Sequence, residues 1–146
     1  MKKSTLLRAA LVILPLLVVS VAVGPNAATV INAGTTDMTT WYQIVSESAL
    51  GWCLPVAGLM NYVLFALAVG YLLLKKHWCA RWIRGIAFAA LCLAALPIVI
   101  QSDVKIIPNV LGLLLLAGDY FVAHVIVKEQ MAAAEVAPKG KRLDRR

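Results

Sequence analysis

Four long apolar segments separated by polar connections are the feature that most constrains how this chain can fold. They cover residues 6–23, 50–74, 84–100 and 106–127. A helix needs about 20 mostly apolar residues to cross the hydrocarbon core of a bilayer, and a helix also satisfies its own backbone hydrogen bonds there. The pattern therefore predicts an all-α membrane protein with four transmembrane helices.

The basic residues give these spans a direction. Thirteen of the 14 Lys and Arg side chains lie at the start of the first segment, around the connection between the second and third, or after the fourth; Lys105 is the exception. Cytoplasmic connections of membrane proteins carry such an excess of positive charge. We therefore expect an antiparallel bundle, residues 1–128, with both termini in the cytoplasm (N-in/C-in), and a largely disordered basic cytoplasmic tail, residues 129–146.

The composition excludes a soluble basic domain. Hydrophobic residues make up 62% of the chain and the mean hydropathy is +0.84, whereas soluble domains are about 45–50% apolar. The net charge of +7 therefore indicates contact with anionic inner-leaflet lipids and no nucleic acid. The predicted inner-leaflet contacts are Lys75, Lys76, Arg81, Arg84, Lys141, Arg142, Arg145 and Arg146.

Two features near the N-terminus allow more than one interpretation. The first segment has the basic start, apolar centre and small residues of a secretory signal, but we favour a retained helix; cleavage would leave three spans with the same facing. In the outer loop, Thr40 and Gln43 have capping-box spacing, which predicts a short interfacial helix that Trp41 and Tyr42 hold at headgroup level. This loop is either a binding surface or an ordinary connection, and we favour the connection.

The candidate polar site inside the spans consists of Asp119, Asn61 and Cys92. A charge at the bilayer centre costs about 2.5–3.5 kcal/mol or more, so Asp119 is either a proton- or cation-coupling residue or a hydrogen-bonding residue that fixes helix packing. Counted from the nearest basic residues, Cys92 lies level with Asp119, and Asn61 lies well above both, so that an Asp119–Asn61 contact would need a tilted helix.

Residues that could support catalysis are few. His77 and Cys79 are two candidate metal ligands without a second pair, and the sequence has no C-x-x-C, phosphate-cradling or nucleophile-elbow pattern. The three cysteines, at unlike predicted depths, are not expected to form a disulfide. We therefore expect neither an enzyme nor a cofactor or metal site.

The overall plan combines an aromatic outer loop, a second helix marked by Gly, Pro and Asn, and a leucine-rich exit before two lysines: Trp41-Tyr42, Gly51, Pro55, Asn61 and Leu72-Leu73-Leu74-Lys75-Lys76. In this plan the chain resembles small uncharacterised four-span bacterial integral membrane proteins. The resemblance rests on no specific motif and implies a bacterial cell membrane but no activity. Small multidrug exporters carry a Glu in the first helix and claudin-like proteins a cysteine pair in the first outer loop, and this chain has neither.

Two functional hypotheses follow. The favoured one is a multi-pass membrane-embedded interaction or accessory protein with a membrane-protein partner. The alternative is a small transporter or channel subunit that uses Asp119, as a homo-oligomer because one four-helix bundle leaves little room for a pathway.

Overall fold

The computed structural model describes residues 3–44, 49–74, 77–100 and 104–136. They form four helices: α1 (Lys3–Val23), α2 (Cys53–Leu74), α3 (His77–Val99) and α4 (Val110–Val136). Each helix is long and apolar enough to cross a membrane, which confirms the four predicted spans.

The helix limits differ most from the apolar segments in α3 and α4. Because α3 begins at His77, Arg81 lies inside a helix rather than in a connection, and Arg84 lies about two turns into that helix rather than at its start. Helix α4 begins at Val110 and continues to Val136, so the first eight residues of the predicted tail are helical. Hydropathy marks the part of a helix that suits lipid, whereas good helix formers such as the alanines after residue 131 extend the helix beyond it.

The connections between the helices add a small sheet that the sequence interpretation did not include. Its strands are β1 (Ala28–Asn32), β2 (Thr35–Thr39) and β3 (Lys105–Pro108), all antiparallel in the order β2-β1-β3. Ala33 and Gly34 turn the β1–β2 hairpin with positive φ angles of 45° and 91°, the backbone that two-residue hairpin loops require. Because β3 ends at Pro108, the first residues of the fourth apolar segment, residues 106–108, form a strand rather than the start of a helix.

Pairing of β1 with β3 joins two connections that are distant in sequence. Strand β1 follows α1, β3 follows α3, and Val30 lies opposite Ile106 in their shared register. Both side chains are buried and contribute to the core beneath the sheet. The connection after α1 and the connection after α3 consequently lie on the same side of the molecule.

The helices pack in a ring, in which α1 contacts α2 and α4, and α3 contacts the same two. Their interior forms two apolar clusters. The sheet-side cluster contains Val18, Ala22, Ala27, Ala28, Val30, Trp41, Ile44, Leu54, Ala57, Ala90, Ala94, Ile106 and Leu116. The distal cluster contains Leu11, Leu64, Ala68, Tyr71, Cys79, Ala80, Ile83, Ala87, Ala123, Ile126 and Val127.

Trp41 is part of the core, so the prediction that it lies at headgroup level is wrong. Its side chain is 0% exposed. The indole Nε1 donates a hydrogen bond to the carbonyl of Ala27 (2.9 Å), and the backbone N–H of Trp41 donates to Ala22 (3.0 Å). The six-membered ring of the indole lies against Gly112, where an added Cβ would be 2.9 Å from Cζ2. A glycine at that position is what lets the ring reach α4.

The capping-box spacing starts no helix at residues 40–43, and residues 45–48, where the predicted interfacial helix would continue, lie outside the described part of the chain. Residues 41–43 form a turn, and the side-chain oxygen of Gln43 accepts hydrogen bonds from the hydroxyls of Thr39 (3.1 Å) and Thr40 (3.2 Å). In a capping box, the same side chain would accept from a backbone N–H. Gln43 therefore braces the turn that carries Trp41 into the core.

Candidate functional site

Asp119 and Asn61 are the two buried polar side chains of the described residues, and both are 0% exposed. Each lies on the inward face of its helix. Residues three or four apart share a helix face, and Asn61 stands between Ala57 and Leu64, which are both buried in the core. Asp119 stands in the same way between the buried Leu116 and Ala123. The pair is therefore an interior feature of the bundle.

The two side chains occupy the boundary between the two apolar clusters. On α2, Ala57 belongs to the sheet-side cluster and Leu64 to the distal cluster. Counted from the first residues of α2 and α4, Asn61 lies about 12 Å and Asp119 about 13.5 Å along the helix axes. Asp119 likewise stands between Leu116 of the sheet-side cluster and Ala123 of the distal cluster. The expectation that Asn61 lies well above Asp119 stays a prediction.

Three oxygen atoms of this pair lack a hydrogen-bond partner. The Asn61 amide Nδ2 donates to the carbonyl of Ala57 (2.7 Å), which orients the amide. Its Oδ1 and both carboxyl oxygens of Asp119 are buried without a partner among the described residues. A buried polar group left unpaired destabilises a fold by about 1–3 kcal/mol, and such groups are rare. The described residues therefore place no hydrogen-bond donor on any of these three oxygens.

Helix α1 adds a further acceptor near this level. Pro15 is fully buried and has no N–H, so the carbonyl of Leu11 receives no hydrogen bond from its own helix at that position. This turn of α1 packs beside Asp119, because a side-chain carbon of Leu14 lies 3.8 Å from where a Cβ on Gly118 would be. The neighbourhood thus combines a carboxyl group, an amide oxygen and a released backbone carbonyl.

Cys92 does not belong to this site, contrary to the sequence prediction. Its side chain is exposed, whereas the interior face of α3 consists of the buried alanines Ala87, Ala90 and Ala94. Cys92 is two residues from Ala90 and from Ala94, or about 200° around the helix from each. Counting residues estimated its depth but did not fix its rotational position. Cys53 and Cys79 are buried free thiols.

The predicted inner-leaflet residues fall into two groups. Arg81 is exposed and Arg84 half-buried, both within the first two or three turns of α3. Lys75, Lys76, Lys141, Arg142, Arg145 and Arg146 lie outside the described residues, so their contacts remain predictions.

Two aromatic contacts of the loop were not predicted from the sequence: that of Trp41 with Gly112 and that of Tyr42 with α2. The side chain of Tyr42 is half-buried, and its hydroxyl oxygen is enclosed. Its hydroxyl lies against α2, where a Cβ added to Gly58 would be 2.7 Å away. Burial, and then the neighbouring phenol of Tyr62, raise the pKa of Tyr42 to about 12. The sequence offered one signal for these contacts, namely glycines in α2 and α4 and two adjacent aromatic residues in the loop. It does not show which glycine contacts which aromatic ring.

No family model, no curated protein and no solved structure matches this chain. Its function has to be inferred from its own residues. Among the described residues, no group of three or more His, Cys, Asp or Glu side chains is placed to hold a metal ion. What the interior offers instead is a small set of oxygen acceptors enclosed by apolar side chains.

Proposed function

We propose that this chain is a multi-pass protein of the cell membrane, with antiparallel spans and both termini in the cytoplasm. The sheet supports this arrangement because it holds the connections after α1 and α3 on one side, the side that lacks the basic excess. The contacts of α1 with α4 support it as well. Val21 lies beside Gly112 and Leu14 beside Gly118. The later residue of α1 therefore contacts the earlier residue of α4, which is the pattern of two antiparallel helices.

Within that topology, we propose a membrane-embedded interaction or accessory role. The observation that carries it is the enclosure of Asp119 and Asn61. Apolar clusters lie on either side of the pair along the bundle axis, so a single copy offers no continuous polar path past them. A bundle closed in this way acts through its outer surface, which presents large apolar side chains on every helix.

Cysteine labelling on intact cells tests the orientation. In a variant whose three cysteines are replaced by alanine, single cysteines are introduced by Thr36→Cys and by Ala134→Cys, two exposed positions at opposite ends. A membrane-impermeant maleimide should label position 36 directly and position 134 only after permeabilisation. Labelling of both positions from the same side would refute the topology.

The size of the native complex tests the accessory role. The chain is extracted in a mild detergent at its natural abundance and compared on a native gel with the purified chain, whose mass is 15.7 kDa. We expect the cellular species to be larger and to contain a second membrane protein in a fixed ratio. A species made of this chain alone would contradict the accessory role.

A second candidate function, a transporter or channel subunit, is favoured by the unpartnered oxygens of Asp119 and Asn61. An enclosed set of acceptors suits a proton or a small cation, and intramembrane carboxyl groups commonly mark such pathways. In this case several copies would have to build the pathway together.

A matched pair of variants tests this candidate. Asp119→Asn keeps the side-chain shape and removes the carboxyl group, and Asp37→Asn makes the same change at an exposed position on β2. Proton and sodium fluxes are measured in vesicles that contain the purified protein. Loss of flux in the Asp119 variant alone supports the transport role, whereas wild-type vesicles without any flux refute it.

A further inference from the structure

A groove on the lipid-facing side of α3 is open enough to hold a ligand. It encloses about 350 Å³ and is lined by Met60, Arg81, Trp82, Gly85, Ile86 and Ala89. Gly85 is the reason that the groove is open, because a Cβ added there would meet no atom within 4 Å. From Arg81 to Ala89 the groove extends about 12 Å along the helix. It runs from the first turns of α3 toward the middle of the span.

One end of the groove is cationic and aromatic, and the rest is apolar. Arg81 is exposed at that end, and its guanidinium suits bidentate binding of a phosphate. Trp78 and Trp82 stack edge to face there, with ring centroids 5.8 Å apart, and tryptophan prefers the headgroup level of a bilayer. The chemistry thus changes from headgroup to hydrocarbon along the groove, as it does along a phospholipid.

The charge and the lining of the groove favour a lipid over a second helix. The exposed Arg81 at one end complements the phosphate of an anionic lipid, and the walls beyond it, at Gly85, Ile86 and Ala89, are apolar. A single acyl chain is narrower than any helix and needs no hydrogen bonds from the apolar walls.

We propose that this groove binds one anionic phospholipid of the inner leaflet, with an acyl chain along Gly85 and Ala89 and the phosphate on Arg81. The site rests on the proposed N-in/C-in orientation, which sets α3 with Arg81 at the inner leaflet. It replaces a diffuse contact between basic residues and lipid with one stoichiometric site.

Two variants and two matched controls test the site. Gly85→Leu fills the groove, and Gly70→Leu places the same side chain at another helical glycine with open space around it. Arg81→Gln removes the phosphate ligand, and Arg8→Gln removes the same charge from an exposed position near the start of α1, outside the groove lining. Helix content and thermal unfolding of each variant are recorded first, and all four are expected to fold because none fills an occupied space.

The measurement is the number of lipids retained per chain. The purified protein is reconstituted in nanodiscs that contain equal amounts of phosphatidylglycerol and phosphatidylcholine. Native mass spectrometry then gives the mass of the protein with the lipids that it retains. Wild type and both controls should retain one phosphatidylglycerol. Arg81→Gln should lower that occupancy about tenfold, since a hydrogen bond to a charged group contributes about 1.5–3 kcal/mol. Gly85→Leu should lower it by a similar factor, because the leucine side chain fills the space of the acyl chain.

Three outcomes would overturn the proposal. The first is equal loss in the controls, which would indicate a non-specific lipid coat. The second is equal retention of phosphatidylcholine, because Arg81 would then select nothing. The third is a change of oligomeric state in Gly85→Leu without loss of lipid, because a second copy would then fill the groove. The orientation is tested separately by labelling at position 36, so loss of the site and failure of the topology give different results.

Discussion

The contact between Trp41 and Gly112 gives the sharpest prediction of stability. Gly112→Ala would place a Cβ 2.9 Å from Cζ2 of the indole and 3.5 Å from a methyl group of Val21. Carbon atoms pack best about 3.5–4.0 Å apart, so the ring has to move by about 0.6 Å or more. The indole cannot move freely, because its Nε1 is hydrogen-bonded to Ala27 at 2.9 Å.

The expected loss follows from these restraints. Overpacking of a core lowers the free energy of unfolding by about 1–3 kcal/mol. Replacing a helical glycine by alanine raises it by up to about 0.5–1 kcal/mol. We expect Gly112→Ala to lower the free energy of unfolding by about 1–2 kcal/mol. The same substitution at Gly70, where an added Cβ meets nothing within 4 Å, should raise it by about 0.5–1 kcal/mol.

The assay is reversible unfolding in mixed micelles of increasing dodecyl sulfate content, followed by circular dichroism. A second background, Trp41→Phe, removes the six-membered ring of the indole that the new methyl group would meet. In that background Gly112→Ala should raise the free energy of unfolding by up to about 0.5–1 kcal/mol, so the double-mutant cycle should give a coupling energy of about 1.5–3 kcal/mol. If Gly112→Ala stabilises the protein as Gly70→Ala does, the close contact between the indole of Trp41 and Gly112 does not form.

Three further predictions concern single side chains. Because the pKa of Tyr42 is raised to about 12 and a free phenol ionises near 10, this group stabilises the fold below about pH 10, and its contribution is lost as the pH rises through 12. Ultraviolet difference titration should show a late-ionising tyrosine that disappears in Tyr42→Phe. Cys92→Leu should leave the free energy of unfolding within about 0.5 kcal/mol of wild type, because the side chain is exposed on the outer face of α3; a loss of about 1–3 kcal/mol, as expected for an overpacked interior, would contradict the rotation of α3. Gln130→Ala removes a 2.7 Å hydrogen bond to the hydroxyl of Tyr71 and should lower the free energy of unfolding by about 0.5–1.5 kcal/mol; an unchanged midpoint in the same micelle assay would mean that this bond does not form.

Part of the fold was predictable from local sequence properties. The four spans follow from the length and hydropathy of the apolar segments, which need no tertiary contacts to be recognised. The helix ends were less predictable, because α3 extends back to His77 and α4 on to Val136 through stretches of mixed polarity that include good helix formers such as alanine, arginine and glutamate. A hydropathy scale does not register that preference.

Part of the candidate site was also predictable. Asp119 and Asn61 stand out in the sequence as polar residues inside apolar spans, and the structure buries both. Cys92 stands out for the same reason, yet it faces outward. Residue counting gives depth along a helix at 1.5 Å per residue, but a side chain's direction depends on which face the other helices cover.

The sequence by itself determined that this chain has four membrane-length helices and which connections carry the positive charge. Both are properties of contiguous stretches, and the bilayer selects for them directly. Only the tertiary structure decided that β1 pairs with β3, that Trp41 is inserted against Gly112, and that Asp119 and Asn61 are both buried between the two apolar clusters. Those contacts join residues far apart in the chain, and their geometry is set by how four rotated helices and two loops fill one space.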